Sequence, residues 1–395
     1  MTIELQVENE TIEDGSRYVT EAFRPKPRGP NYRKRLMEAY RLFNAAMSGN
    51  QYAMLDLKEA FSTSDFPLLF ADVLSRELLP EYQAAPTIWT SFARRTVVRD
   101  FRPHTLSDLF GGQGILERVP ELGPYPAKKV EEAEYKLRVR KHGSRFALSW
   151  EALVNDDLGG LRGLPNRMAV SARRSEDYHA TAQLVGATGP LTAFWKAYTA
   201  PPAQGTFNNT ATAANMGTAL GANPQLSTDS VAKALEVIQT RRDIDNAPVI
   251  IDGFVLMVPP ALELAANKIL GANELRFTDP EGNVIIVGNF LNGRVTLVVN
   301  PWLPVIDQSA NAATTWYVLP TPSSPRPALA VGFLRGNETP DLRMKSSDSE
   351  RVGGGDVPPE EGSFDNDDVQ YRVRHVFGGA TVDPMSTLVS NGSEA

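Results

Sequence analysis

The chain has 395 residues and no cysteine. That absence excludes disulfides, thiolate catalysis and the common structural zinc sites, so stability must come from packing or from assembly. Long apolar runs are also missing. None approaches the roughly 20 residues that a membrane helix requires, and an N-terminus carrying Glu4, Glu8, Glu10, Glu13 and Asp14 is the opposite of a signal peptide. The expectation is a chain with no membrane partner that stays inside the cell that makes it. Histidine is scarce: His104, His142, His179 and His375 are the four in the chain. They show no ligand spacing, which predicts surface or satisfied-core roles and no metal.

Signatures of catalysis are equally thin. The glycine clusters at 111–114 and 353–355 lack the Lys-Ser/Thr of a phosphate loop and its flanking strand and helix. Ser230 and Lys233 have the Ser-x-x-Lys spacing of penicillin-binding enzymes, but the partner motifs Ser-Asp-Asn and Lys-Thr-Gly do not occur. Asp156 and Asp157 could bind a metal or act as acid and base, yet adjacent carboxylates ahead of Gly159 and Gly160 more often end a helix in a turn. No cofactor is expected, and no constellation supports chemistry.

What is present reads as ordinary globular composition, 42% hydrophobic and 22% charged, in a chain long enough for two or more domains. The net charge of −7 is uneven. Between Glu338 and Asp368, ten carboxylates stand against Arg343, Lys345 and Arg351, so this segment alone carries −7. From Arg17 to Arg41, eight basic residues, among them Arg33, Lys34 and Arg35, face only Glu21 and Glu38. A basic arm containing Pro25, Pro27 and Pro30 is a solvated tail, or else it contacts nucleic acid or docks on another subunit.

In chain order, residues 1 to about 60 read as an arm followed by a helix bearing Leu36, Tyr40, Phe43 and Met47. Phe66–Tyr82 is a second helix, stopped by Pro80. Strand-like Thr96–Phe101 leads to a turn region (Gly111, Gly112, Gly114), a Gly123-Pro124-Tyr125-Pro126 tip with Lys128 and Lys129 beside it, and a strand in which Tyr135, Leu137 and Val139 oppose Lys136, Arg138 and Arg140. The hairpin of about 101–144 has little core of its own. A long helix starts at Pro165 and ends at Gly186, with Leu164, Met168, Ala172, Ser175, Ala182 and Val185 on its buried stripe and Arg173 and Asp177 pointing elsewhere. Ala172 and Ala182 leave that stripe small. Ala200–Gln225 reads as surface loop. Ser227 or Thr228 caps a helix through Val231, Leu235 and Ile238; strand 249–258 and a helix through Leu262, Ala266 and Ile269 follow, which implies an α/β domain. Strands 284–287, 294–300, 316–319 and 328–334 extend its sheet, and a Gly/Pro/acid linker leads to a last strand, 370–377.

Three runs then carry a resemblance: Val258-Pro259-Pro260-Ala261-Leu262-Glu263; Val331-Gly332-Phe333-Leu334-Arg335-Gly336 with Pro340 after it; and Val373-Arg374-His375-Val376-Phe377-Gly378. With the order of elements from the loop, through Phe146-Ala147-Leu148-Ser149 and Asn155-Asp156-Asp157, to the returning strand, the chain resembles the major head subunit of Mu-like tailed bacteriophages over roughly residues 60–390. The resemblance implies an α+β capsid shell fold: an N-terminal arm (1–65), the helix and lead-in of a peripheral domain (66–95), an extended hairpin loop (96–148), a peripheral domain with a long spine helix (149–227), an α/β axial domain (228–345), and an acidic linker with a returning peripheral strand (346–395).

The resemblance further implies a non-enzymatic subunit that assembles with itself as hexamers and pentamers into an icosahedral head around double-stranded DNA. Its location would be the virion, after assembly in the host bacterial cytoplasm, with portal, decoration and, if one is used, separate scaffold proteins as partners. No cleaved N-terminal scaffolding domain is expected. Arg33, Lys34, Arg35, Lys128, Lys129, Arg138 and Arg140 are the candidate assembly residues. Two alternatives stay open: an encapsulin-like compartment holding a cargo protein, and a cytoplasmic α/β enzyme.

Overall fold

The computed structural model describes residues 78–110, 131–149, 164–199, 205–278, 284–345 and 363–393, with isolated positions between them. The chain divides into Met1–Val73 and Leu74–Ala395, and every described residue belongs to the second unit. Its elements begin with helical residues 78–84 and a 3-10 turn, Trp89–Ser91. Strands β1 (Arg94–Val98), β2 (His104–Phe110), β3 (Glu131–Leu137) and β4 (Arg140–Ser149) lead to helix α1 (Leu164–Thr181). Two short ribbons follow, β5 (Val185–Gly186) with β6 (Gly189–Pro190) and β7 (Ala197–Tyr198) with β8 (Phe207–Asn208), then α2 (Ala213–Met216) and α3 (Thr228–Thr240). Next come β9 (Phe254–Val258), α4 (Glu263–Gly271), β10 (Glu274–Thr278), β11 (Val284–Gly288), β12 (Val295–Val299) and α5 (Leu303–Ile306). The chain closes with β13 (Trp316–Pro320), β14 (Leu329–Leu334), β15 (Asp341–Met344), β16 (Asp368–Thr381) and β17 (Leu388–Ser390).

Two sheets organise these elements. One has the order β12-β9-β13-β17, with β12 parallel to β9 and the other pairs antiparallel. The other is built on the 14-residue β16. One edge of β16 takes β14 and β15, its opposite edge takes β4 along ten residue pairs, and β1 lies parallel to β14.

Strand periodicity explains how the sheets pack. Along β9, Phe254, Leu256 and Val258 enter a core with Val231, Leu235 and Ile238 of α3 and Ala266 of α4. The alternate residues Val255 and Met257 enter a second core, which also holds Tyr317, Phe333, Phe377, Trp89 and Leu184. That second core is the seam between the two sheets. The opposite face of the β16 sheet is also covered: Val98, Leu334, Val376 and Ala380 pack with Leu137 and Val139 at the root of the hairpin, and Leu106 lies against them.

Helix α3 matches its sequence signal. Ser227 Oγ accepts from the Ser230 amide at 3.1 Å while Ser230 Oγ accepts from the Ser227 amide at 2.8 Å, a reciprocal cap. Elsewhere tertiary contacts overrule the local pattern. Pro80 does not end its helix, which continues to residue 84 with Leu78 and Tyr82 buried. Helix α1 stops at Thr181, and Gly186 belongs to the β5–β6 ribbon instead of forming a cap. The hairpin pairs β3 with His104–Phe110, whereas the strand at 94–98 joins β14. β14 lies outside the sheet of β9, and among the described residues β11 pairs only with β10. Ala200–Gln225 is not merely surface: Phe207, Asn209, Ala211 and Met216 are buried, and Arg241 donates to the carbonyls of Asn208, Met385 and Thr387.

Glycine marks where strands crowd. A Cβ on Gly378 of β16 would lie 2.1 Å from the Arg138 carbonyl oxygen, a backbone atom that no rotamer change can move. Gly378→Ala is therefore expected to destabilise the protein by about 1–3 kcal/mol, the usual range for overpacking. Gly288→Ala, where a Cβ meets nothing within 4 Å, should leave the urea midpoint close to that of the parent. Equal midpoints for both variants would show that the hairpin root is not held against β16.

Candidate functional site

Helix α1 brings the sheets and the hairpin root together, and its buried face is partly charged. Met168, Ala169, Ala172, Glu176, Asp177, Ala180 and Thr181 are the buried positions, so the stripe turns through Glu176 and Asp177 instead of Ser175, and Ala182 just beyond the helix packs partly buried against the core. Asp177, which the periodicity placed outward, is 5% exposed. Arg173, also placed outward, is half-buried beneath Tyr82, its guanidinium 3.8 Å from the ring centroid.

Glu176 is fully buried and accepts from four side chains. Tyr82 Oη and His375 Nε2 donate to Oε1 at 2.5 and 2.8 Å; Trp89 Nε1 and Arg173 Nη1 donate to Oε2 at 2.8 and 3.1 Å. Burial alone would raise its pKa, but the donors His375 and Tyr82 and the charge of Arg173 outweigh it and hold the carboxylate below its ordinary range. Tyr82 is pushed strongly upward by burial and by Glu176, so it remains a donor. Asp177 accepts from the amides of Ile88 and Trp89, both at 2.9 Å, and from Thr87 Oγ1 at 3.0 Å, fixing the turn before β1; its burial nevertheless moves its pKa upward. At the far end of α1, Asn300 Nδ2 donates to Thr181 Oγ1 at 2.8 Å, a buried link to the residue that follows β12.

Three histidines from three elements meet at the root of the hairpin. His142 of β4 and His179 of α1 have ring centroids 4.4 Å apart, His142 stacks on Phe377 at 4.2 Å, and His375 of β16 lies 5.0 Å from the same phenyl ring. Burial, then the proximity of His179 and His375, pushes His142 down to about 4. His179 is lowered by burial and by Arg140. Sequence spacing gave no hint of this cluster because sheet register, with His142 opposite His375, creates it. Among the described residues no group of His, Asp or Glu could hold a metal ion.

Of the candidate assembly residues named in the sequence, Arg138 and Arg140 fall among the described residues. Arg138 and Arg140 are exposed on either side of the β3–β4 junction at the hairpin root. Arg33, Lys34, Arg35, Lys128, Lys129, Asp156, Asp157 and both glycine clusters lie outside the described residues. Ser230 is fully buried in the α3 cap and Lys233 pairs with Glu236 at 2.7 Å, so the Ser-x-x-Lys spacing is spent on helix structure. Glu176 could have been suspected from spacing, since it continues the series Met168, Ala172, Ala180 at intervals of four. A carboxylate on a buried stripe signals a partner, though its partners lie far away in sequence.

Two outcomes follow. Glu176→Ala leaves Arg173, Tyr82, Trp89 and His375 without their common acceptor and should cost about 3–5 kcal/mol in urea unfolding, the range for breaking a buried pair; a loss under 1 kcal/mol would mean that water replaces the carboxylate. His142 binds its proton more weakly folded than unfolded, so its contribution to stability is complete above the ordinary pKa of about 6.5 and is lost as pH falls toward about 4. His142→Phe should therefore lose less stability than the parent between pH 7 and 4.5, and parallel curves would show that the ring remains solvated.

A family model described as phage capsid protein matches residues 132–390, which run from β3 through β17. No curated protein matches the chain. Similar solved structures include a chain of Mycobacterium phage Patience, 12% identical, covering 82% of this chain and 87% of that one with a TM-score of 0.46. The capsid of a native GTA particle is 13% identical, with coverages of 78% and 91% and a TM-score of 0.43. The SrpI encapsulin from Synechococcus elongatus PCC 7942 is 10% identical, with coverages of 76% and 85% and a TM-score of 0.42. The family match spans well over half of the sequence and takes in the β9 sheet, the β16 sheet except β1, and α1: the chain belongs to the phage capsid protein family, and it is a structural protein of the capsid shell.

Proposed function

We propose that this protein is the major subunit of an icosahedral phage head, assembling as hexamers and pentamers around double-stranded DNA after synthesis in the host bacterial cytoplasm. The observation that carries the reading is the family match across residues 132–390. The six-segment division, from arm to acidic linker, is part of the same proposal, with two changes of membership that follow the sheets: β14 and β15 go with α1 and the β16 sheet to the peripheral domain, and β17 goes with the β9 sheet, α3 and α4 to the axial domain. Portal and decoration proteins, and a scaffold if one is used, are the further partners.

Mechanism in such a protein is interface physics. The β2–β3 ribbon is rooted on the β16 sheet by Leu106, Leu137 and Val139, while Lys136, Arg138 and Arg140 beside that root are exposed. An isolated two-stranded ribbon is marginally stable in water, which supports a neighbouring subunit as the support for its outer part. A head-to-tail contact of this kind, repeated with closing symmetry, gives rings and then a shell. The basic residues at 17–41 and the acidic ones at 338–368 supply attraction between copies. Each exposed pair is worth only about 0–1 kcal/mol, but a shell repeats it many times.

Deleting Gly111 to Lys129 should leave the urea unfolding of the subunit unchanged while closed shells are lost from negative-stain micrographs. Normal, equally stable shells from the deletion variant would make the hairpin a passive surface excursion. Absence of shells from the parent as well would reject the reading of a self-assembling head subunit.

A further inference from the structure

The outward side of α1 carries two adjoining concavities that share Ser171 and Ser175. The larger, about 560 Å³, runs from Arg167 past Arg174 to Tyr178 and Trp302. The smaller, about 400 Å³, turns toward β4 and takes in Lys141, His142 and Ser144. Neither lining includes a carboxylate, although the chain as a whole carries −7. Arg167, Arg174 and Lys141 are exposed, and they make no ion pair among the described residues. Arg167 and Arg174 stand seven residues apart, on one helix face with about 10.5 Å between them along the axis.

We propose that this face of α1 is a docking surface for the phosphate backbone of double-stranded DNA, with Arg167, Arg174 and Lys141 as its cations. The proposal rests on the reading of the protein as a genome-enclosing shell and names the surface that meets the genome. Charge complementarity carries it. A duplex presents one negative charge per about 1.7 Å of axis, so cations spread over this length meet phosphates in any register and need no base contact. At the shared rim the Ser171 hydroxyl adds a neutral donor to phosphate oxygens, while the Ser175 hydroxyl donates to the Ser171 carbonyl at 2.7 Å. The chain's own acidic stretch is a poorer fit: between Asp348 and Glu361 its five carboxylates are interrupted by Arg351, Gly353–Gly355 and Pro358–Pro359. Exposed guanidinium groups, held by no ion pair among the described residues, suit a mobile polyanion better than a fixed peptide.

The test measures binding of the full-length subunit to a short duplex across ionic strength. The variants are Arg167→Ser with Arg174→Ser, Arg167→Lys with Arg174→Lys, and Arg33→Ser, Lys34→Ser and Arg35→Ser together. Each phosphate contact contributes about 0.9 to the slope of log affinity against log salt. The serine pair should therefore lower the slope by about 2, and the lysine pair should keep the parent's slope because charge, not bidentate geometry, is used. Both pairs replace exposed side chains and should melt with the parent. A parent slope in the serine pair, with a drop only in the arm variant, would overturn this surface and leave the genome reading standing. No DNA binding by the parent at about 50 mM salt would remove both. Unchanged DNA binding with weakened subunit association in light scattering would assign the face to carboxylates of a second copy, which also overturns it.

Discussion

The buried carboxylate of Glu176 is the interaction on which the rest of this protein's architecture depends. It is fully buried on α1, and the donors that satisfy it come from the helix before β1, from the 3-10 turn, from α1 itself and from β16. An unpaired charge at that depth would cost several kcal/mol, so these segments have one arrangement that works and many that do not. Asp177 beside it performs the same service for the turn that delivers β1 to β14. Apolar burial supplies the driving force, but it is non-directional; the two carboxylates give it a unique geometry.

Around that fixed point, a single core serves both sheets. Val255 and Met257 of one sheet and Phe333 and Phe377 of the other meet Leu184 just beyond the end of α1, while Asn300 bonds Thr181 in the last turn. The outer face of the β16 sheet is closed by the hairpin root, where Leu137 packs directly over Gly332. A ribbon rooted in this way transmits force to the sheet through packed side chains and through the close approach of Arg138 to Gly378.

Charge is segregated rather than balanced locally. Paired ions inside the fold, such as Arg374 with Asp341 at 2.9 Å and Arg326 with Asp243 at 3.4 Å, are tied to particular turns and strands. Arg167, Arg174 and Lys141, by contrast, make no ion pair among the described residues. Exposed cations of this kind raise the rate of encounter with any oppositely charged partner.

By itself the sequence determined the class of protein and the position of most elements. Lack of cysteine and of long apolar runs, the Ser227 cap and the alternating apolar strands act locally, through spacing and backbone preference, and so they are readable along the chain, as is the resemblance of three runs to phage head subunits. Strand partners were less legible: residues 94–98 and 329–334 look like any buried strands, and only long-range packing places them in the β16 sheet and away from β9. The same limit hid the buried role of Asp177, the meeting of His142, His179 and His375, and the interior of residues 200–225. None of these depends on spacing within one element; each arises where register and helix phase bring distant residues within a few ångströms, which only the tertiary structure decides.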